Sequence, residues 1–250
     1  SDGTIAIGQQ ALTTLTSGRG NVGIGYQALY VEDDGDFNTA VGYQALTDQT
    51  GVSGTVANTA IGYFAAKEIT TGIKNTMVGA YAGAETLLVD NTVLFGYNAG
   101  GGVMTAGADG TVAVGKDSLG ALTSGTGNTA VGYQSMDATT AGGGNTALGY
   151  QSLSGDTDGD GGDNTALGHK ALLTAISPSK NVAIGDSAMR LMDGTANGIA
   201  SCVAIGANAF QGHSDTTTGA NGTVAVGFDS LKALTTGGNN VSVGYQSMMA

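Results

Sequence analysis

A glycine returns fourteen times along this chain at a spacing that hardly varies, and that period restricts the fold more than any other feature. It falls at Gly8, Gly25, Gly42, Gly62, Gly79, Gly96, Gly115, Gly132, Gly149, Gly168, Gly185, Gly206, Gly227 and Gly244. The intervals are 17 residues, with insertions of two to four. Three residues after each anchor stands only Ala or Ser, from Ala11 to Ser247, and the residue before it is always apolar and mostly β-branched. The cleanest copy is Asn38-Thr39-Ala40-Val41-Gly42-Tyr43-Gln44-Ala45-Leu46. Self-similarity at a short fixed period is the mark of a solenoid or array.

Seventeen residues are too few for a helical hairpin, and the β-branched run before the anchor favours a strand. They suffice for two short strands and two turns, which is one coil of a parallel β-solenoid. The expected class is all-β: about fourteen 17-residue coils stacked so that like side chains form ladders along the stack. The 45 glycines and single proline belong to that periodic structure, since no collagen-like triplet occurs and the 41% apolar content is too high for a disordered linker. Insertions enter at the turns, around residues 47–57, 100–110, 154–163, 190–201 and 211–222, and leave the stack intact.

The anchor glycine supplies a positive φ or a close backbone approach, a need repeated in every coil. The Ala/Ser row likewise marks a place where another backbone comes within reach. In the strand, Thr39 and Val41 point one way and Ala40 the other, so the two faces pack differently, one within the coil and one against partners. Segments 111–136 and 223–248 align closely and match 4–29. The chain reads as a single repeat domain, 1–250, with candidate six-coil modules 4–110, 111–222 and a truncated 223–250. It opens and closes on repeats and is expected to be a piece of something longer or a processed segment.

The phrase NTAVGYQAL at residues 38–46 resembles the head repeats of trimeric autotransporter adhesins, of the Yersinia adhesin type, and the similar repeats of bacteriophage tail fibres. The likeness runs through all fourteen copies. It implies a left-handed parallel β-roll associated as a homotrimer, with Asn38 to Gly42 and its counterparts as the inner strand near a three-fold axis. It also implies an extracellular place, on a cell surface or a virion fibre, and attachment to a cell-surface receptor or glycan. The coils here are longer than the commonest adhesin head coils, and the basic neck, heptad stalk and anchor barrel of those adhesins have no counterpart in these residues.

Charge and composition remove several function classes. Eight Lys and Arg against 20 Asp and Glu give −12, a field that repels nucleic acid and anionic lipid heads. No apolar run reaches membrane-spanning length, and Ser1-Asp2-Gly3-Thr4 lacks signal-peptide regions. With 11% charged residues no cluster of titratable groups converges for catalysis, so no enzyme is expected. Cys202 replaces an Asn or Thr of the repeat and reads as a substituted structural position. Gly23-Ile24-Gly25-Tyr26-Gln27-Ala28 matches a dinucleotide pattern but opens no helix.

The remaining features are candidate sites. Asp156, Asp158, Asp160 and Asp163 alternate with glycines like the start of a calcium loop, without the bidentate acid at its twelfth place, where Leu167 stands. Glu32-Asp33-Asp34-Gly35-Asp36 is a weaker acidic insertion. Seven of nine tyrosines follow an anchor directly and form a ladder that either stacks on itself or faces sugars. Rows such as Thr39, Thr59 and Thr76 give way to Val22, Val182 and Val241, which suits a half-buried ladder. A monomeric solenoid binding glycan or ice through a flat Thr/Tyr face is the alternative to a structural, adhesive fibre. His169, in a repeat tyrosine's place, and His213, in an insertion, read as surface residues. The sequons Asn221-Gly222-Thr223 and Asn240-Val241-Ser242 are short matches.

Overall fold

A computed structural model describes residues 3–50, 53–155, 161–175, 177–191, 199–212 and 219–249. The chain divides into two compact units, Ser1–Gly127 and Asn128–Ala250. The first contains β1 (Ile5–Ile7), β2 (Val22–Ile24), β3 (Gly35–Asp36), β4 (Thr39–Val41), β5 (Gly54–Thr55), β6 (Thr59–Ile61), β7 (Thr76–Val78), β8 (Val93–Phe95) and β9 (Val112–Val114). The second contains β10 (Thr129–Val131), β11 (Thr146–Leu148), β12 (Thr165–Leu167), β13 (Val182–Ile184), β14 (Val203–Ile205), β15 (Val224–Val226) and β16 (Val241–Val243). Among the described residues there is no α-helix, only a 3-10 turn at Ala106–Ala108. The fold is a parallel β-solenoid.

In the first unit β1, β2, β4, β6, β7, β8 and β9 pair in that order, all parallel. In the second β10 to β16 pair consecutively, again parallel. The middle residue always meets the middle residue: Ala40 meets Ala60 across the 20-residue interval and Ala183 meets Ala204 across 21. Insertions therefore change the turns and leave the register alone. Beside the main ladder β3 pairs with β5, which lies in the lengthened interval between β4 and β6.

The anchor glycine does both jobs expected of it. Gly42 has φ +143°, and a Cβ there would lie closer than 3.0 Å to the carbonyl of Gly62 on the next coil. Gly25, Gly62, Gly132, Gly149 and Gly185 repeat that arrangement; Gly244, in the last coil, has a like φ of +137°, and a Cβ there would meet only Ser247 Cβ at an ordinary 3.7 Å. No L-residue satisfies both the dihedral and the contact.

Past the anchor the structure departs from the expected second strand. Gln44 and Leu46 sit in the left-handed region at φ 52° and 50°, as do their counterparts in the other coils. The alternation turns successive N–H groups to opposite neighbours: Gln44 N–H donates back to the Tyr43 position of the previous coil, Tyr26 O, at 2.8 Å, and Leu46 N–H donates forward to Ala65 O at 3.1 Å. The backbone is thus saturated without extended geometry, and the conformational cost of left-handed Leu is offset by these bonds and by burial of its side chain. The Ala/Ser residue between them is buried at Ala28, Ala45, Ser135 and Ser152.

One buried row has no parallel among the sequence expectations. Asn four residues before the anchor, present in nine of fourteen coils, is buried in eight of them, all but Asn240 in the last coil, and there bonds through both ends of its amide. Asn21 Oδ1 accepts the N–H of Asn38 at 2.8 Å while its Nδ2 donates to Gly35 O at 2.7 Å. In the second unit Asn164 Oδ1 accepts the Asn181 N–H at 3.0 Å, and its Nδ2 donates to Pro178 O at 2.7 Å. Of the threonines that stand there instead, Thr111 and Thr223 leave a buried hydroxyl without a partner, whereas Thr92 Oγ1 donates to Asp90 O at 3.2 Å. Replacing Thr223→Asn is expected to raise stability by about 1 kcal/mol, read as a higher urea midpoint at unchanged slope.

The core is small and volume-matched. Most coils place Ala at the inward strand position and a large residue four past the anchor, as Ala113 with Leu119 or Ala130 with Met136. Two coils exchange the sizes: Met77 goes with Gly83, and Leu94 with Gly100. A Cβ on Gly83 would run into the Met77 sulfur, and one on Gly100 would meet Leu94 Cδ1 at 2.7 Å and Met104 Cε at 2.5 Å. Leu94→Ala is expected to cost about 2–5 kcal/mol as a cavity and Gly100→Leu about 1–3 kcal/mol by overpacking. Together they restore the commoner pairing, so the double variant should be more stable than the sum predicts by at least roughly 0.5 kcal/mol in a denaturation cycle.

Candidate interaction face

In every coil but the first, where all three residues are exposed, the middle residue of the strand is buried and its two flanking residues are half-buried or exposed. The two flanking residues point outward and form two rows along each unit. These rows hold only Ile, Val, Leu, Phe and Thr; none of the chain's 28 charged side chains (eight basic and 20 acidic) occupies them. Ile7, Phe95, Leu148 and Ile205 are exposed on them, Phe95 by 53% and Leu148 by 46%. A parallel sheet is ordinarily covered on both faces, and an apolar patch of this regularity is rare on a lone soluble surface.

Beside these rows runs the aromatic ladder. Tyr26, Tyr43 and Tyr63 stack at centroid distances of 5.0 and 5.4 Å with interplanar angles of 19° and 21°. In the second unit Tyr133, Tyr150 and His169 stack at 5.6 and 5.3 Å. Within these stacks the rings cover one another's faces, and a sugar ring needs a free face; beyond the stack of the first unit Tyr63 meets Tyr81, and Tyr81 meets Tyr97, edge to face at 71°. The next residue extends the order: Gln27 Nε2 donates to Gln10 Oε1 at 2.9 Å and Gln151 Nε2 to Gln134 Oε1 at 3.0 Å. The Thr rows Thr39–Thr59–Thr76 and Thr129–Thr146–Thr165 lie in register but continue into valine.

Other candidate residues are placed as follows. Asp156, Asp158 and Asp160, the first three proposed calcium carboxylates, lie outside the described residues, as does His213. Asp163 closes the turn before β12 at φ 58°, its N–H donating to Gly143 O at 3.0 Å. Among the described residues no three His, Cys, Asp or Glu side chains gather as a metal site, and no helix is long and apolar enough to cross a membrane. His169 Nδ1 lies 3.1 Å from Asp186 Oδ1 on the exposed side. Cys202 is buried in the asparagine row, its thiol donating to Ala220 O at 3.3 Å, and burial pushes its pKa up, the reverse of an activated nucleophile. The hydroxyls of both sequons, Thr223 and Ser242, are buried.

Glu32 stands out among the acidic groups. It is 1% exposed, seven residues past its anchor, where other coils bury Ile69, Leu122 or Ala175. Its Oε1 accepts the Gly35 N–H at 2.7 Å and its Oε2 an Asn38 Nδ2–H at 3.2 Å. The next coil has Gln49 there, whose Oε1 accepts from Asn58 Nδ2 at 2.6 Å. Burial raises the pKa of Glu32 above its ordinary 4.5, the Asp33 charge adds to that, and the N–H donors of Gly35, Asp34 and Asp33 oppose it. The carboxyl was visible in the sequence only as part of an exposed acidic insertion; its place seven past the anchor is the signal that it points inward.

The chain matches no protein-family model and no curated protein.

Because the folded state holds the Glu32 proton more tightly than the unfolded state, its contribution to stability is present below the ordinary value of 4.5 and is lost as pH rises through the folded value. Relative to the parent, Glu32→Gln should therefore gain stability between acidic and neutral pH. Urea midpoints of both proteins across that range test the sign, and a difference that does not move with pH rejects it.

Proposed function

We propose that this chain is a segment of an extracellular structural fibre that self-associates through the outward rows of its sheet and presents its insertion turns for attachment. The observation that carries the reading is the uncharged apolar face on a chain of net charge −12. Copies of so acidic a protein repel one another at every surface except one where no charges meet. A homotrimer of left-handed rolls, with the strand rows facing a three-fold axis, satisfies the face in each coil at once and leaves the turns outside. The chemistry of an adhesin head or tail-fibre shaft follows: a rigid, repetitive support, and a cell-surface receptor or glycan contacted by loops that vary without disturbing it. The monomeric, flat-faced alternative is weakened by the stacks Tyr26–Tyr43–Tyr63 and Tyr133–Tyr150–His169, which cover ring faces a sugar would need, and by the valines that interrupt the threonine rows.

Leu148 provides the test. It is exposed within its own chain, so Leu148→Glu is expected to change single-chain stability by no more than about 0.5 kcal/mol. In a homotrimer it brings three carboxylates together. Light scattering should give a mass near three chains for the parent and near one for the variant, with unchanged circular dichroism. A monomeric parent refutes the proposal.

A further inference from the structure

We infer that Phe95 sets the axial register in which copies of this chain associate, an inference that rests on the self-associating face proposed above. A face made of coils repeats itself every ~4.8 Å. Sliding one copy by a coil exchanges Val for Ile or Thr for Val and alters little else, so contacts along the rows do not by themselves define one alignment. No charge on the rows is available to do it. What breaks the repeat is a residue unlike the rest of its row.

In the row immediately before the anchors, the first unit reads Ile7, Ile24, Val41, Ile61, Val78, Phe95 and Val114. Phe95 is its one aromatic residue and is 53% exposed, whereas Val78 and Val114, to either side, are half-buried. The coil behind it is rebuilt as well: Leu94 turns inward where most coils have Ala, and Gly100 makes room for it. When identical copies meet in register, their Phe95 rings share one layer and fill the space that each ring props open. A copy displaced along the rows sets each ring against a Val or Ile layer and leaves gaps elsewhere. The partner this surface fits is therefore a second copy of the same chain at zero offset.

The test uses disulfide trapping. Cys202→Asn supplies a background without the native thiol; Val41→Cys and Val78→Cys are made in it, one with a mass tag, and the two are co-expressed and oxidised. Residues 41 and 78 lie two coils apart, ~9.6 Å along the axis, and cysteines whose Cα atoms are more than about 7 Å apart do not bridge. In-register copies therefore give only 41–41 and 78–78 bridges, and a 41–78 bridge reports a slide. With Phe95 present, mixed bridges should be a trace. With Phe95→Val they should rise roughly tenfold, equivalent to about 1.4 kcal/mol of lost register preference, while light scattering still shows an oligomer.

Mixed bridges that stay at a trace in the Phe95→Val protein overturn the register role and leave the face standing. An oligomer with no bridges of either kind, or a monomer, overturns the face itself and the register role with it.

Discussion

Everything in this fold depends on how closely one coil lies on the next at the anchor glycine. At Gly42 the space a methyl group would need is taken by the backbone of Gly62. The approach fixes the stacking distance in every coil and leaves the flanking residues no freedom to slip. Because the positive φ and the contact come at the same residue, the register is pinned at one point per coil. The turns between those points then vary in length without consequence for the ladder, as the equal pairing of Ala183 with Ala204 and Ala204 with Ala225 across long intervals shows.

Stacking like on like at that distance filters side-chain chemistry. An amide tolerates it, because it donates at one end and accepts at the other; hence the rows of Asn and Gln. Aromatic rings tolerate it through their faces, and hydroxyls through shared bonds such as Ser135 with Ser152 at 3.0 Å. Carboxylates on the strand rows would repel their like in successive coils, and none occurs there. Glu32 illustrates the limit: the buried acid is followed in the next coil by neutral Gln49. Acidic residues accordingly collect in turns, where Asp34 is held by Ser17 and Thr16 at 2.6 and 2.7 Å and its pKa is lowered by them.

Much of this was legible in the residues. The period, the strand before the anchor, the opposite facing of Ala40 to Thr39 and Val41 and the close approach at glycine all follow from the repeated pattern. Three things did not follow. The second run of each coil is not a strand, because Gln44 and Leu46 carry no signature of the left-handed region; only Gly and Asn advertise it, and here neighbouring coils impose it. The asparagine row was visible as a recurrence, but its hydrogen bonds depend on a carbonyl fourteen residues away, at Gly35 for Asn21, which becomes adjacent only once the coil closes. The size exchange at Met77/Gly83 and Leu94/Gly100 joins positions six residues apart that face each other only in the closed coil. It is compensation across the coil.

Those departures from the repeat deserve the same weight as the repeat itself. A perfectly periodic chain would stack well and specify little, since each coil would fit each neighbour and each partner equally. Within the chain, covalent order settles which coil follows which, so irregular residues are not needed for folding. Between chains nothing covalent settles it. Under the proposed self-association, the positions that break the pattern while keeping the core filled, with Leu94 turned inward and Phe95 outward on one strand, are where one alignment of copies differs from the next. The compensating Gly100 beside Leu94 fills the core where the outward row is broken, so the strand that departs from the pattern still closes a filled coil.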